Sequence, residues 1–153
     1  MKRILFILLI IGAFSCNQST SNQKNTTPQE QAALTPNDGV LVHITHGAED
    51  PQYPIMGLIM AKNMMIKKKD VLVYLDIRGI EMVLKEGSKI EFKGHTPGKY
   101  LQELISNNIP VVVCPGCLMA MDKTPEDLIE GVVLKDEEQF FNFTKGRIVT
   151  FDY

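Results

Sequence analysis

The sequence predicts an α/β fold, a three-layer α/β/α sandwich around a mainly parallel sheet of five strands. Three observations carry this. The runs VLVHIT, VLVYL and PVVVC are almost unbroken Val, Ile and Leu, as in strands buried on both faces of a covered parallel sheet. Helical segments separate them, the alternation that builds such sheets. About 115 residues follow a polar N-terminal stretch, enough for one core of this kind.

Val40–Thr45 reads as the first strand, followed by a polar loop from His46 to Tyr53. Pro54 suits the first turn of a helix running to about Lys68, because proline there gives up an N–H that would be unpaired anyway. Val71–Leu75 is a second strand. Ile80–Lys85 reads as a short helix ended by Gly87. A helix follows from Pro97 to Asn107, then a third strand, Pro110–Cys114. Thr124-Pro125-Glu126-Asp127 has the form of a helix start: a capping hydroxyl, an early proline and carboxylates at the positive end of the dipole. Val132–Leu134, Asp136–Thr144 and Arg147–Phe151 complete the chain as strand, helix and strand.

The composition is that of a globular protein, 44% hydrophobic and 22% charged over 153 residues. The net charge is -2 and no polybasic block occurs, which argues against a nucleic-acid partner. Trp is absent and Cys numbers 3, too few for a disulfide scaffold.

The N-terminus reads as an export signal. Lys2 and Arg3 precede an unbroken apolar run, Ile4 to Ile11, and the small residues before Cys16. The run is too short to cross a bilayer, which needs roughly 20 residues. The segment resembles a bacterial lipoprotein signal, which implies lipid attachment at Cys16 and a cell-envelope location, anchored to the membrane and facing the periplasm or the surface. Ala13-Phe14-Ser15 also fits ordinary secretory cleavage. The organisation expected is a signal at 1–15, the lipidation Cys and a tether at 16–38, and a domain at 39–153. Sixteen of the 22 residues from Asn17 to Asp38 are Asn, Gln, Ser, Thr or Pro, a composition that cannot bury enough surface to fold.

Ligands of open parallel sheets bind beyond the carboxyl ends of the strands. There lie His46-Gly47-Ala48-Glu49-Asp50, Asp76-Ile77-Arg78-Gly79 and Cys114-Pro115-Gly116-Cys117, with His95 in a nearby loop. The C-x-x-C of Cys114 and Cys117 is the most informative. Its turn brings two sulfurs together, and such settings lower a thiol pKa. It permits a small disulfide, two ligands to one soft metal, or two inert buried thiols. A thioredoxin arrangement does not fit, since Asp122-Lys123-Thr124-Pro125 soon interrupts any helix after the pair.

His46 is the histidine candidate, placed to stabilise a thiolate or act as a base. His43 reads as a packed or hydrogen-bonded strand residue. Glu49 and Asp50 read as caps for the following helix, and Arg78 and Lys85 as solvated positions able to attract an anion. Met56, Met60 and Met64 recur every four residues, the pattern of a packed helix face, although thioethers with the cysteine pair also suit copper(I). No phosphate loop, zinc motif or other cofactor signature occurs.

Ile109–Val133 (IPVVVCPGCLMAMDKTPEDLIEGVV) resembles the DsrE/DsrF-like sulfur-relay family in its strand ending in Cys, short loop, Asp-Leu and Gly-Val. Val40–Pro51 resembles the family's first strand and its Gly-x-Glu-Asp-Pro loop. The resemblance spans about residues 39–153. It implies a DsrE-like α/β fold, a homo-oligomer such as a trimer or hexamer, and sulfur carried as a persulfide on the residue corresponding to Cys114. Two functions follow as expectations. The first is a thiol-based sulfur carrier or redox protein using Cys114 and Cys117, with a thiol or persulfide exchange partner. The second is a non-catalytic module, binding copper(I) or a protein, in which the pair is a ligand set or a structural lock.

Overall fold

The computed structural model describes residues 38–153. The expected signal, Cys16 and the tether up to residue 37 lie outside the described residues. Five strands form one sheet: β1 (Gly39–Ile44), β2 (Asp70–Leu75), β3 (Val111–Val113), β4 (Val133–Leu134) and β5 (Ile148–Asp152). Their order is β4-β3-β2-β1-β5, and every pairing is parallel. The predicted α/β architecture is therefore present.

Period-two alternation sorts the side chains. Val40, Val42, Ile44, Val71, Val73, Leu75, Val111 and Val113 all join the main core. Helix α1 (Gln52–Ile66) adds Ile55, Leu58 and Ala61 to it, and α2 (Pro97–Ser106) adds Tyr100, Leu101 and Leu104. Each fully buried aliphatic contributes about 1.5–3 kcal/mol relative to exposure. The opposite face carries Leu72, Tyr74 and Val112. Helix α4 (Glu137–Phe143) covers part of it, with Phe140 and Phe143 lining a small apolar cavity over Leu72 and Val112. Among the described residues no helix is long and apolar enough to cross a membrane.

Several boundaries differ from the sequence reading. Helix α1 begins at Gln52, with Pro51 rather than a carboxylate at its cap. Glu49 does not cap it. Both of its carboxylate oxygens accept the Gly47 N–H at 3.0 Å, and Arg78 Nε donates to it at 2.8 Å; a neighbouring cation and a free amide compete better than a helix end. The helix expected at Ile80–Lys85 is a 3-10 segment, Ile77–Val83. It is drawn tight by the Gly79 N–H, which reaches the carbonyls of Asp76 and Thr45. The helix start at Thr124 yields a single 3-10 turn, Pro125–Asp127. There the Asp127 carboxylate accepts the Thr124 N–H at 2.9 Å. Leu128 then becomes extended and bridges Leu84, so tertiary pairing ends the helix after one turn.

Candidate functional site

The register Leu75↔Val113 is the last rung between β2 and β3. Beyond it, the Cys114 N–H donates to the Leu75 carbonyl at 3.0 Å, which carries Cys114 to the very end of the sheet. Pro115 cannot donate to a further rung, and its fixed φ suits a first helical position. It opens the six-residue helix α3 (Pro115–Ala120). Cys114 is the residue before that helix, in extended geometry, and its Sγ accepts the Cys117 N–H at 3.4 Å. A thiolate here occupies the place that serine or aspartate fills in ordinary helix caps.

The two thiols are free and half-buried, and their environments differ. Burial pushes Cys114 up. Bonds from the Cys117 thiol, the Cys117 N–H, the Tyr74 hydroxyl and the Gly116 N–H outweigh that and hold it below the ordinary thiol value. Burial and the Cys114 charge push Cys117 up, against the Ile77 N–H and assisted by Asp76. Burial and the neighbouring Cys114 also raise Tyr74, which keeps its hydroxyl a donor. Of the two, Cys114 is the one held toward the thiolate and Cys117 the one held toward the thiol. At a pH below the ordinary thiol range, iodoacetamide should label Cys114 first. Tyr74→Phe removes one donor to a charged acceptor, worth about 1.5–3 kcal/mol, and should slow that labelling roughly tenfold. Mass spectrometry of the modified peptide reads both results, and equal labelling of the two cysteines would contradict the assignment.

The next strand adds a polar cluster. His43 pairs with Tyr74 in register, and their rings stack at 5.4 Å. Its Nε2 lies 3.0 Å from Asp76 Oδ1 and its Nδ1 2.9 Å from Asp152 Oδ1. Carboxylates only accept, so each ring nitrogen that carries a hydrogen can donate to one of them. His43 is therefore the hydrogen-bonded strand residue expected.

His46 sits elsewhere. It stacks on Tyr53 at 4.5 Å, and its Nδ1 lies 3.2 Å from Thr45 Oγ1. Strand β2 separates the end of β1 from β3, and among the described residues no hydrogen bond joins His46 to either cysteine. His95 is held by the Tyr100 hydroxyl. Arg78 is not a free cation, since Glu49 and Glu81 each accept from it at 2.8 Å. Lys85 donates to the Glu126 carbonyl. Met60, Met64 and Met65 pack against the core, but Met56 is 46% exposed, so the packed face expected of that helix does not include its first methionine.

The sequence places Asp76 and Ile77 in a strand-end loop without giving either a role, and it does not single out Tyr74. Tyr74 had a signal, as the one side chain with a polar tip within VLVYL. Ile77 had none. It takes a left-handed conformation, with φ 48°, which a β-branched residue adopts at a cost of about 1–3 kcal/mol. Its N–H faces Cys117, and its side chain is 60% exposed. It walls a groove of about 550 Å³ that also includes Arg78, Glu81, Cys117 and Met121.

The family model described as DsrE/DsrF-like matches residues 38–151, nearly the whole described domain. This chain belongs to the DsrE/DsrF-like family. Its fold is also that of two solved structures of low identity. The ychN protein from E. coli has a TM-score of 0.59 at 18% identity, over 76% of this chain and 100% of that one. MTH1491 from Methanobacterium thermoautotrophicum, a protein of unknown function, has a TM-score of 0.56 at 16% identity, over 76% of this chain and 99% of that one. No curated protein matches the sequence. Membership of the DsrE/DsrF-like family suggests a sulfur-relay or redox-related role. Among the described residues no group of three His, Cys, Asp or Glu side chains could hold a metal ion.

Proposed function

We propose that this protein is a thiol-based sulfur carrier or redox protein that works through a persulfide or disulfide at Cys114 and Cys117. The observation that carries the reading is the pair's asymmetry. Cys114 is held toward the thiolate by the Cys117 N–H at 3.4 Å and by neighbouring donors, while Cys117 is held toward the thiol. Attack by the Cys114 thiolate on the outer sulfur of a donor persulfide forms a Cys114 persulfide and releases the donor thiolate. Cys117, once deprotonated, then attacks the Cys114 sulfur. The sulfur–sulfur bond to the carried atom breaks, hydrosulfide leaves, and a Cys114–Cys117 disulfide remains. A dithiol reductant is needed to reset it.

The proposal places this chemistry in the cell envelope, with the chain tethered through acylated Cys16 and working as a homo-oligomer. The leader sequence supports the first part. The exposed apolar side chains Phe141, Val133 and Leu134, on and beside the sheet edge, support the second.

The deciding experiment is intact-protein mass spectrometry after exposure of the reduced protein to a persulfide donor. A gain of one sulfur atom, located to the Cys114 peptide and reversed by dithiothreitol, is the expected result. Absence of that adduct, together with no disulfide formed under mild oxidant, would overturn the reading.

A further inference from the structure

We infer that the groove beside Cys117 selects a sulfur partner whose reacting sulfur is flanked by positive charge, and rejects thiols or disulfides carrying carboxylate or sulfonate there. The inference rests on the thiol-exchange reading above and goes beyond it by naming the substrate class.

Two clusters flank the cysteine pair, and each has more acid than base. Arg78 and Glu81 line the groove, and Arg78 stands between Glu81 and Glu49 behind it, with both ion pairs at 2.8 Å. One guanidinium against two carboxylates leaves one negative charge. Along the strand ends, His43 stands between Asp76 and Asp152 at 3.0 and 2.9 Å. Two carboxylates outweigh one imidazole whichever of its nitrogens carry hydrogen. The two clusters together bear at least two unmatched negative charges, with Glu81 on the groove itself and Asp76 acting directly on Cys117.

Two cations near these strand ends are engaged elsewhere. Lys135, beside β3, has its ammonium 5.5 Å over the Phe140 ring and lines the apolar cavity under α4, not the groove. Lys85 is held by the Glu126 carbonyl. The rest of the groove is apolar: Ile77, Ala120 and Met121 line it with Cys117. Low-dielectric walls focus such a field on an approaching ligand. An anionic sulfur compound would have to bring its charge against this field, whereas an ammonium beside the sulfur would meet it favourably.

The step tested is ordinary exchange. A protein thiolate attacks one sulfur of a small disulfide, a mixed disulfide forms and a thiolate leaves. The second cysteine then displaces the other thiolate, so the disulfide is reduced to two thiols as the protein pair is oxidised. The probes are cystamine, bis-hydroxyethyl disulfide and dithiodiglycolate, which are cationic, neutral and anionic. Each rate of pair oxidation, followed by intact mass on the full reduced chain, is divided by the rate of the same probe with dithiothreitol. That ratio cancels leaving-group acidity.

At low ionic strength the normalised rates should fall in the order cationic, neutral, anionic, with roughly tenfold between the extremes. The spread should collapse at about 1 M salt, where the Debye length is near 3 Å. Arg78→Gln should widen it and Glu81→Gln should narrow it. Equal normalised rates, or a faster anionic probe, would overturn the inference while leaving the thiol-exchange reading standing. Failure of all three probes to oxidise the pair would overturn both.

Discussion

Cys114→Ser is expected to abolish sulfur loading and disulfide formation together, whereas Cys117→Ser is expected to preserve loading and block release. The difference follows from the roles of the two sulfurs. Only a thiolate attacks a persulfide or disulfide at a useful rate, and a serine hydroxyl at position 114 stays protonated near neutral pH. Serine can still accept the Cys117 N–H, since hydroxyls are good caps. The fold should therefore persist, and the loss should be chemical. In Cys117→Ser the cap donor is a backbone N–H and remains. Cys114 still loads, but no neighbouring thiol attacks its persulfide, so the sulfur adduct should outlive the wild-type adduct at least several-fold. Intact mass against time reads both effects. A Cys114→Ser protein that still gained sulfur would move the nucleophile to Cys117.

Gly79→Ala is expected to damage the fold beside the site severely, destabilising by about 3 kcal/mol or more. A Cβ at position 79 would stand 2.1 Å from the Ile44 carbonyl oxygen and 2.7 Å from its carbon. Both atoms belong to the backbone of β1, which cannot swing aside like a side chain. The same glycine donates its N–H to Thr45 O at 3.0 Å and Asp76 O at 2.8 Å. It ties the β1 and β2 ends together just after the strained Ile77. Displacing it should also move Ile77 away from Cys117, so thiol reactivity should change along with stability. Gly116 is the internal control: a Cβ there meets nothing within 4 Å. Gly116→Ala lies inside a helix and should be neutral or stabilising by up to about 1 kcal/mol. Denaturant midpoints at unchanged slope would measure the contrast. Equal midpoints for the two variants would show that the β1 end yields freely.

The reach of the sequence can be judged at particular residues. VLVHIT, VLVYL and PVVVC declared their buried strands because continuous apolar runs have few other fates in a domain of this size. C-x-x-C after a strand announced the sulfur site because its spacing is local, four consecutive residues and one turn. Period two placed His43 on a face, and the residue types at the strand ends named the loops worth attention.

What lay between strands was not legible. That His43, and not His46, meets Tyr74 and Asp76 depended on the register between β1 and β2. The capping role read into Glu49 depended on Arg78, 29 residues away. The helix read at Thr124 depended on the Leu84–Leu128 bridge.

By itself, then, the sequence determined the strands, the class of fold and the pair of sulfurs, since propensity, burial pattern and short-range spacing are properties of neighbouring residues. Tertiary structure alone decided which cysteine is held toward the thiolate, which tyrosine neighbours it and what charge surrounds it. Those depend on a register between distant strands and on a single left-handed residue, and neither the register nor the backbone angle is written in any local run of side chains.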